Sequence, residues 1–198
     1  MLDKSVPYAG LFMRRKQGAP IPSFTLPEGF NYAFYKDGDE TSWAKIEASV
    51  LEFDSEFAAL MFFSENFIPY RDDLYKRCLF VENRNGEKVA TTTAWWSYIE
   101  GERRPWLHWV AVDTRFQGLG LGKAVIAHAT RLMTELEGDV DIYLKTQTWS
   151  YKAVGIYMSC GYEPTNERKL YKGSKESSGR KNSYKKAIRI LRRLQGKE

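Results

Sequence analysis

The clearest periodic pattern of apolar residues lies in the middle of the chain. Apolar residues recur there about every 3.6 positions, which predicts an amphipathic helix over residues 120–136 that lies on a sheet and ends at Gly138. Residues 106–112 before it read as a strand, and residues 140–145 after it alternate as another strand. The apolar stripe of the helix consists of Leu121, Val125, Ala129, Leu132, Met133 and Leu136.

The first thirty residues carry a different signal. They contain Pro7, Pro20, Pro22 and Pro27, and proline cannot donate a hydrogen bond to a sheet. Residues 1–30 are therefore predicted to form an extended arm with at most one edge strand, ahead of a single mixed domain that ends at residue 172. Its further predicted elements are strands at 31–35, 79–82, 88–97 and 170–172, and helices at 43–51, 55–67 and 151–159.

Positive charge is concentrated at the C-terminal end. The formal net charge is +5, and residues 173–198 hold nine Lys or Arg against two Glu, which is +7, so the first 172 residues carry 5 − 7 = −2. A linker-like run at 173–179 precedes a segment, 180–197, whose apolar residues fall on one side of a helix. Docking of this basic helix on its own domain or on a dimer mate is the favoured role. Binding to nucleic acid or to an anionic membrane surface stays open.

Composition argues against several classes of protein. The two cysteines are 82 positions apart and only two histidines are present, so neither a disulfide framework nor a metal site is indicated. The longest uninterrupted apolar run, 57–63, is far shorter than the roughly 20 residues that span a bilayer. The first residues lack the basic and apolar regions of a secretory signal. We therefore expect a cytoplasmic protein without a metal and without a membrane span.

The most informative motif joins the strand at 106–112 to the long helix. Residues 115–123 read Arg-Phe-Gln-Gly-Leu-Gly-Leu-Gly-Lys, and glycines before a helix can present unobstructed backbone N–H groups to an anion. A dinucleotide fingerprint would place its third glycine at Lys123, and a Walker loop would need a hydroxyl at Ala124. The spacing that fits is Gln117-x-x-Gly120-x-Gly122. A flexible connection without a ligand is the alternative interpretation.

This motif resembles the pyrophosphate-binding loop of the GCN5-related N-acetyltransferase (GNAT) superfamily. Residues 107–112, Leu-His-Trp-Val-Ala-Val, resemble the fourth strand of that family, and residues 156–162, Ile-Tyr-Met-Ser-Cys-Gly-Tyr, resemble its second signature. The resemblance covers about residues 78–164 and implies an α+β fold. Its features would be a mixed sheet of six to seven strands, about four helices, a splay between strands four and five, and here a C-terminal amphipathic helix. Residues 107–112 and 146–149 are also similar to mycothiol-synthase-like members, whose acceptors are small amines.

The resemblance implies an N-acetyltransferase that moves an acetyl group from acetyl-CoA to a small-molecule amine by direct transfer in a ternary complex. The N–H groups of the loop, aided by the helix dipole, would hold the pyrophosphate. A backbone N–H near Val110, where the strand bulges, would stabilise the oxyanion. The implied cofactor-binding residues are Val110, Ala111, Val112, Gln117, Gly118, Leu119, Gly120, Leu121, Gly122, Lys123, Ser150 and Tyr157.

Two residues are the catalytic candidates. Tyr157 would serve as the acid toward the coenzyme A thiolate, with a lowered pKa or with a hydrogen bond to the sulfur in place of full proton transfer. His108 would serve as the base, because imidazole titrates near pH 6.5, and a structural histidine in the strand is the alternative. Glu100 and Glu102 are second choices for the base that also fit a solvated loop. Ser150 fits either a contact to the pantetheine arm or a simple helix cap.

Two functions other than amine acetylation stay open on the sequence. The basic helix is compatible with a nucleic-acid-associated protein that uses the domain as a scaffold, although nucleic acid is not its favoured partner. The loop alone is equally compatible with a coenzyme A-binding sensor that has no turnover. Retention on nucleic acid that falls with salt, or cofactor binding without thiol release, would distinguish these from an enzyme.

Overall fold

A seven-stranded sheet forms the centre of the computed structural model, which describes residues 2–171, 180–194 and 196. In chain order the strands are β1 (Gly10–Arg15), β2 (Phe30–Phe34), β3 (Cys78–Asn83), β4 (Lys88–Ile99), β5 (Glu102–Val112), β6 (Ile142–Gln147) and β7 (Glu163–Thr165). Their spatial order is β2-β3-β4-β5-β6-β1-β7, and every neighbouring pair is antiparallel except β5 and β6. The fold is thus the mixed α+β class that the sequence predicts.

Helices cover both faces of the sheet. One face carries an aromatic-rich cluster in which Trp43, Phe63 and Leu74 pack against strand residues such as Phe80, and the other face is covered by Leu121, Val125 and Val154. The helices of the described residues are α1 (Glu40–Ser49), α2 (Glu56–Asn66), α3 (Arg71–Arg77), α4 (Leu121–Glu137), α5 (Tyr151–Ser159), α6 (Arg168–Tyr171) and α7 (Arg180–Leu194).

Local sequence signals account for the longer helices. The side chain of Ser55 accepts a hydrogen bond from the N–H of Ala58 at 3.1 Å and so caps α2. In α4 the predicted stripe is buried at Leu121, Val125, Ala129 and Met133, whereas Leu136 in the last turn is exposed. The helix ends at a glycine, Gly138, with φ +80°. Periodicity and end signals therefore located this helix to within about one residue at each end.

The N-terminal segment differs from the prediction. Strand β1 is hydrogen-bonded on both sides, to β6 and to β7, so it is an interior strand and not the edge strand expected for residues 1–30. Leu11 and Met13 are fully buried. The four prolines all lie outside β1, so they left its hydrogen bonds free to form. The prediction of a closing strand at 170–172 is also wrong. Leu170 lies in α6, and the strand that closes the sheet is β7.

The sheet opens between β5 and β6. These parallel strands share a single pairing, between Trp106 and Tyr143, and the expected splay between the fourth and fifth predicted strands is found here. Beyond this pairing the two strands separate toward their carboxyl ends, so their backbones leave a gap in the middle of the sheet. The gap is where the candidate site lies.

The C-terminal helix α7 packs on its own domain. Ala187 and Leu191 are buried in the same cluster as Leu11 and Val125, and the hydroxyl of Ser183 donates to the carbonyl of Gly10 at 3.1 Å. The predicted amphipathic pattern is therefore used to cover the strand β1. The linker at 173–179 lies outside the described residues.

Candidate active site

A cavity of about 750 Å³ occupies the gap between β5 and β6. Four predicted site residues line it: His108 and Val110 from β5, Ser150 before α5, and Tyr157 from α5. The structure thus brings together residues that are up to 49 positions apart in the chain. Other lining residues include Phe12, Glu47, Glu52, Tyr98, Glu100, Trp106, Trp109, Lys145 and Gln147.

Strand β5 has a β-bulge at the cavity. Thr93 of β4 pairs with His108, but Thr91 pairs with Ala111, so β5 contains one residue more than β4 across this interval. Trp109 has φ +50° there, which for a non-glycine residue costs on the order of 1 kcal/mol. A bulge leaves the extra residue out of the ladder and turns backbone groups away from it. The bulge expected near Val110 is present.

Aromatic packing holds the bulge in place. The ring of Trp109 stacks on Phe53 at a centroid distance of 5.2 Å and meets Phe62 at 4.8 Å and Trp43 at 5.6 Å edge-on. Aromatic contacts of this kind are each worth about 0.5–1.5 kcal/mol beyond the area they bury. They are therefore large enough to offset the strain at Trp109, and they couple the bulge to α1 and α2.

The glycine loop lies beyond the carboxyl end of β5. Gly118 and Gly120 both have φ +84°, a left-handed conformation that favours glycine. Gly120 immediately precedes α4, whose first backbone hydrogen bond runs from Ala124 to the carbonyl of Gly120 at 3.3 Å. The N–H groups of the first turn, from Leu121 to Lys123, have no acceptor within the helix, which makes this end a suitable site for an anion.

The loop offers backbone atoms more than side chains. Gln117 donates from Nε2 to the carbonyl of Val112 at 3.0 Å and so ties the loop to the end of β5. Lys123 is exposed, with Nζ 5.8 Å from the ring centre of Phe24. Leu119 is also exposed. None of these three side chains lines the cavity, and β5 connects the cavity to the loop.

His108 is neutral at neutral pH. Burial lowers its pKa from 6.5 to about 4, because the charged imidazolium would lose its hydration. Its buried Nε2 forms no hydrogen bond with the described residues. A base with a pKa near 4 takes up a proton weakly at pH 7. The position of His108 suits the role of base, but its environment makes it a poor one.

Tyr157 is positioned on the cavity by α5. Burial raises the pKa of its phenol well above 10, which is opposite to the lowered pKa considered from the sequence. A phenol of this kind keeps its proton, so it suits a hydrogen bond to sulfur better than proton transfer. Ser150 makes no side-chain cap to α5, and its Oγ accepts a hydrogen bond from Gln147 at 3.3 Å. The capping role considered for Ser150 is therefore not observed.

Sequence reasoning missed the two carboxylates in the cavity wall, Glu47 and Glu52. Glu47 lies four residues after Trp43 and three before Val50, so it occupies the buried stripe of α1. A charged residue within an apolar stripe was the signal available. Glu52 has no comparable signal, since it follows the end of α1. Of the two second-choice bases, Glu100 lines the cavity and Glu102 does not.

Residues 2–171, 180–194 and 196 contain no group of three or more His, Cys, Asp or Glu that could hold a metal ion. Among the same residues, no helix combines the length and apolar character needed to cross a membrane.

Comparison with known proteins agrees with this architecture. The chain is 25% identical over 171 residues to an uncharacterized protein of Mycobacterium leprae, an alignment that covers 84% of this chain and 43% of that protein. A GCN5-related N-acetyltransferase from Sphaerobacter thermophilus superposes with a TM-score of 0.64 at 19% identity, covering 81% of this chain and 49% of that one. A GNAT-family acetyltransferase from Colwellia psychrerythraea gives 0.61 at 12% identity, with coverage of 83% and 55%. The chain spans about half the length of these relatives.

A family model supplies the direct assignment. The model described as the acetyltransferase (GNAT) family matches residues 32–162, which is more than half of the chain. The matched segment contains the glycine loop, the bulged strand β5 and the helix that bears Tyr157. The described geometry and this match lead to one conclusion: the chain belongs to the GNAT acetyltransferase family.

Proposed function

We propose that this protein transfers an acetyl group from acetyl-CoA to an amine, with both substrates bound at once. The observation that supports this most is the arrangement along β5. One strand leads from a loop with unpaired helix N–H groups, at Leu121 to Lys123, back to a strained bulge at Trp109 that faces the cavity. A pyrophosphate at the loop would direct the pantetheine arm along β5 toward the bulge and Tyr157.

The chemistry then follows from the groups around the cavity. The amine nitrogen bonds to the thioester carbon, and a backbone N–H near Val110 stabilises the oxyanion, a contribution of about 3 kcal/mol for a preorganised donor. The C–S bond breaks, coenzyme A leaves as the thiolate, and a proton from the nitrogen ends on the sulfur. Tyr157, which stays protonated, donates a hydrogen bond to the sulfur as charge develops there.

A thiol-release assay tests this proposal. The purified chain would be mixed with acetyl-CoA and a panel of primary amines, and free thiol would be measured alongside calorimetric titration with acetyl-CoA. We expect binding, and amine-dependent thiol release for at least one amine. Binding without release for any amine would favour the coenzyme A sensor, and absence of binding would exclude both functions.

One observation still supports the alternative function, binding to nucleic acid. The apolar face of α7 is buried, but Lys185, Lys186, Arg189 and Arg192 are accessible at its surface. Retention on RNA or DNA that falls steeply with salt and is lost on deletion of residues 180–198 would support this role. For the transferase we expect no such retention at physiological salt.

A further inference from the structure

Glu47 and Glu52 are brought together by the way α1 ends. The N–H of Leu51 donates to the carbonyl of Ala48 at 3.0 Å, and the N–H of Glu52 donates to the carbonyl of Glu47 at 3.2 Å. This pair of hydrogen bonds is a Schellman motif, in which Glu47 is the third residue from the helix end and Glu52 the second residue after the cap. The motif places these two side chains next to each other.

The motif at α1 carries backbone strain. Its left-handed position, normally a glycine, is Leu51 with φ +67°. A left-handed leucine costs about 1–2 kcal/mol, and because Leu51 is 44% exposed, burial of its side chain offsets little of this. The same motif ends α5 with Gly161 at φ +89°, where no such cost arises. Strained backbone conformations of this kind cluster at functional sites, where the surrounding structure maintains them.

The paired side chains are also unusual. A hydrophobic contact commonly joins the two positions of a Schellman motif, and in α5 these are Tyr157 and Tyr162, with ring centres 6.3 Å apart. In α1 both positions are glutamates, and both line the cavity. Two carboxylates placed side by side repel each other. Glu52 is exposed to water, but Glu47 is buried, so the charged form of Glu47 is unfavourable without a positive partner.

The described residues compensate this charge only in part: desolvation raises the pKa of Glu52, and the positive charge of Lys4 opposes this to a smaller extent. Glu47 is 1% exposed, and its Oε1 accepts no hydrogen bond from any described residue. Glu52 accepts one long hydrogen bond, from Gln147 at 3.4 Å. Of the lysines that line the cavity, Lys169 pairs with Glu167 at 3.1 Å, and Lys145 lies over the ring of Phe12 at 5.5 Å. A buried carboxylate whose oxygen accepts no hydrogen bond is complementary to a ligand that carries a positively charged group.

Apolar surface lies in the same cavity. Trp106 and Trp109 line it together with Phe12 and Tyr98, so a ligand would meet aromatic rings beside the carboxylates. Aromatic faces and carboxylates both attract ammonium groups, and the rings also bury hydrocarbon. The combination is suited to an amine attached to an apolar body.

We propose that Glu47 and Glu52 bind the ammonium group of the acceptor, which is a cationic amine with an apolar body, and that Glu47 accepts the proton that frees the nitrogen for attack. This rests on the proposed acetyl transfer and names its acceptor class. The ammonium gives one proton to the Glu47 carboxylate, which becomes a neutral acid, and the nitrogen keeps the lone pair that forms the C–N bond. Glu47 then releases its proton to solvent when product leaves.

Calorimetry without cofactor tests the binding directly. The full chain would be titrated with 2-phenylethylamine and with 2-phenylethanol, which replaces the amine by a hydroxyl, and with hexylamine and 1-hexanol as a second pair. We expect each amine to bind at least about 10-fold more tightly than its alcohol, because charge-assisted hydrogen bonds are the stronger ones. Equal affinity within both pairs, or no binding of either amine, would overturn the proposal.

Variants assign the effect to the carboxylates. The double variant Glu47→Gln with Glu52→Gln should lose the preference for amines, whereas Glu56→Gln and Glu65→Gln, on the exposed face of α2, should keep it. An undiminished preference in the double variant would remove these residues from the site. Gln has nearly the shape of Glu, and an unchanged acetyl-CoA affinity with a melting temperature no lower than that of the wild type would show that the fold is intact.

The two proposals can fail separately. If the chain bound no acetyl-CoA but kept a preference for amines that depends on Glu47 and Glu52, the transfer would be refuted and the cation site would stand. If thiol release occurred with amines and was unaffected by both substitutions, the cation site would be refuted and the transfer would stand.

Discussion

Glu47 and Tyr157 occupy the same position, third from the end, in two different helices, and both side chains line the cavity between β5 and β6. Both helices end in a Schellman motif, with Leu51 in one and Gly161 in the other at the left-handed position. The two helices approach the cavity from opposite faces of the sheet. The gap between the strands is thus closed on one side by a carboxylate and on the other by a phenol.

A substitution in the glycine loop should abolish binding of acetyl-CoA. Gly120→Asp places a side chain and a negative charge at the start of α4, where the unpaired N–H groups would otherwise face a phosphate. Calorimetry should show a loss of at least about 100-fold in affinity. Gly38→Asp is the matched control, since Gly38 also has a positive φ and open space at its Cβ position. Unchanged affinity in Gly120→Asp would refute the loop assignment.

Removal of the Tyr157 hydroxyl should affect the chemical step. We expect Tyr157→Phe to lower kcat about 100-fold and to leave acetyl-CoA affinity nearly unchanged, because the hydrogen bond to sulfur is strongest once charge has developed. Tyr162→Phe is the control, since its hydroxyl is bonded to Thr130 at 2.9 Å within the core. That variant should lose stability and keep turnover. Full turnover in Tyr157→Phe would contradict the role.

Strain at Leu51 can be measured as stability. Leu51→Gly should be more stable than Leu51→Val by about 1–2 kcal/mol, because glycine adopts a positive φ freely and a β-branched residue does so least well. Thermal or denaturant unfolding of both variants would check this. Equal stability would mean that the backbone at Leu51 relaxes without cost.

The charge on Glu47 should make stability depend on pH. Burial raises its pKa well above the ordinary 4.5, so the folded state holds this proton more tightly than the unfolded state. The contribution of Glu47 to the free energy of unfolding is fully present below pH 4.5, and it is lost as pH rises through the raised pKa. Glu47→Gln should reduce this fall in unfolding free energy with rising pH, while Glu56→Gln should not. If the unfolding free energies of wild type and Glu47→Gln changed with pH in the same way, burial would not raise the pKa of Glu47.

His108 should make the protein less stable as pH falls, which is opposite to the effect of Glu47. Its pKa is lowered from 6.5 to about 4 by burial, so its contribution is present above pH 6.5 and is lost as pH falls toward 4, by at most about 3 kcal/mol. His108→Gln should reduce the loss of stability across this interval. If His108 is the base, the acidic limb of kcat/KM for the enzyme should lie near pH 4, and an unaltered limb in His108→Gln would leave it a structural role only.

Much of the fold could be predicted because its signals are local. The stripe from Leu121 to Met133, the strands β3 and β4, and the glycine that follows α4, Gly138, all depend on residues close together in the chain. Strand β1 was misjudged because being interior or edge depends on β6 and β7, which lie more than a hundred residues later. The prolines of residues 1–30 indicate an extended segment, but they give no information about which strands pair with it.

Residue type and spacing are enough to identify the family motif, the loop that precedes α4, and His108 and Tyr157 as candidates. How those groups behave depends on the folded arrangement around them. Burial lowers the pKa of His108 and raises that of Tyr157, and the end of α1 brings Glu47 and Glu52 to the cavity. Protonation depends on the solvent and charges around a group in three dimensions, and these come from residues distant in the chain.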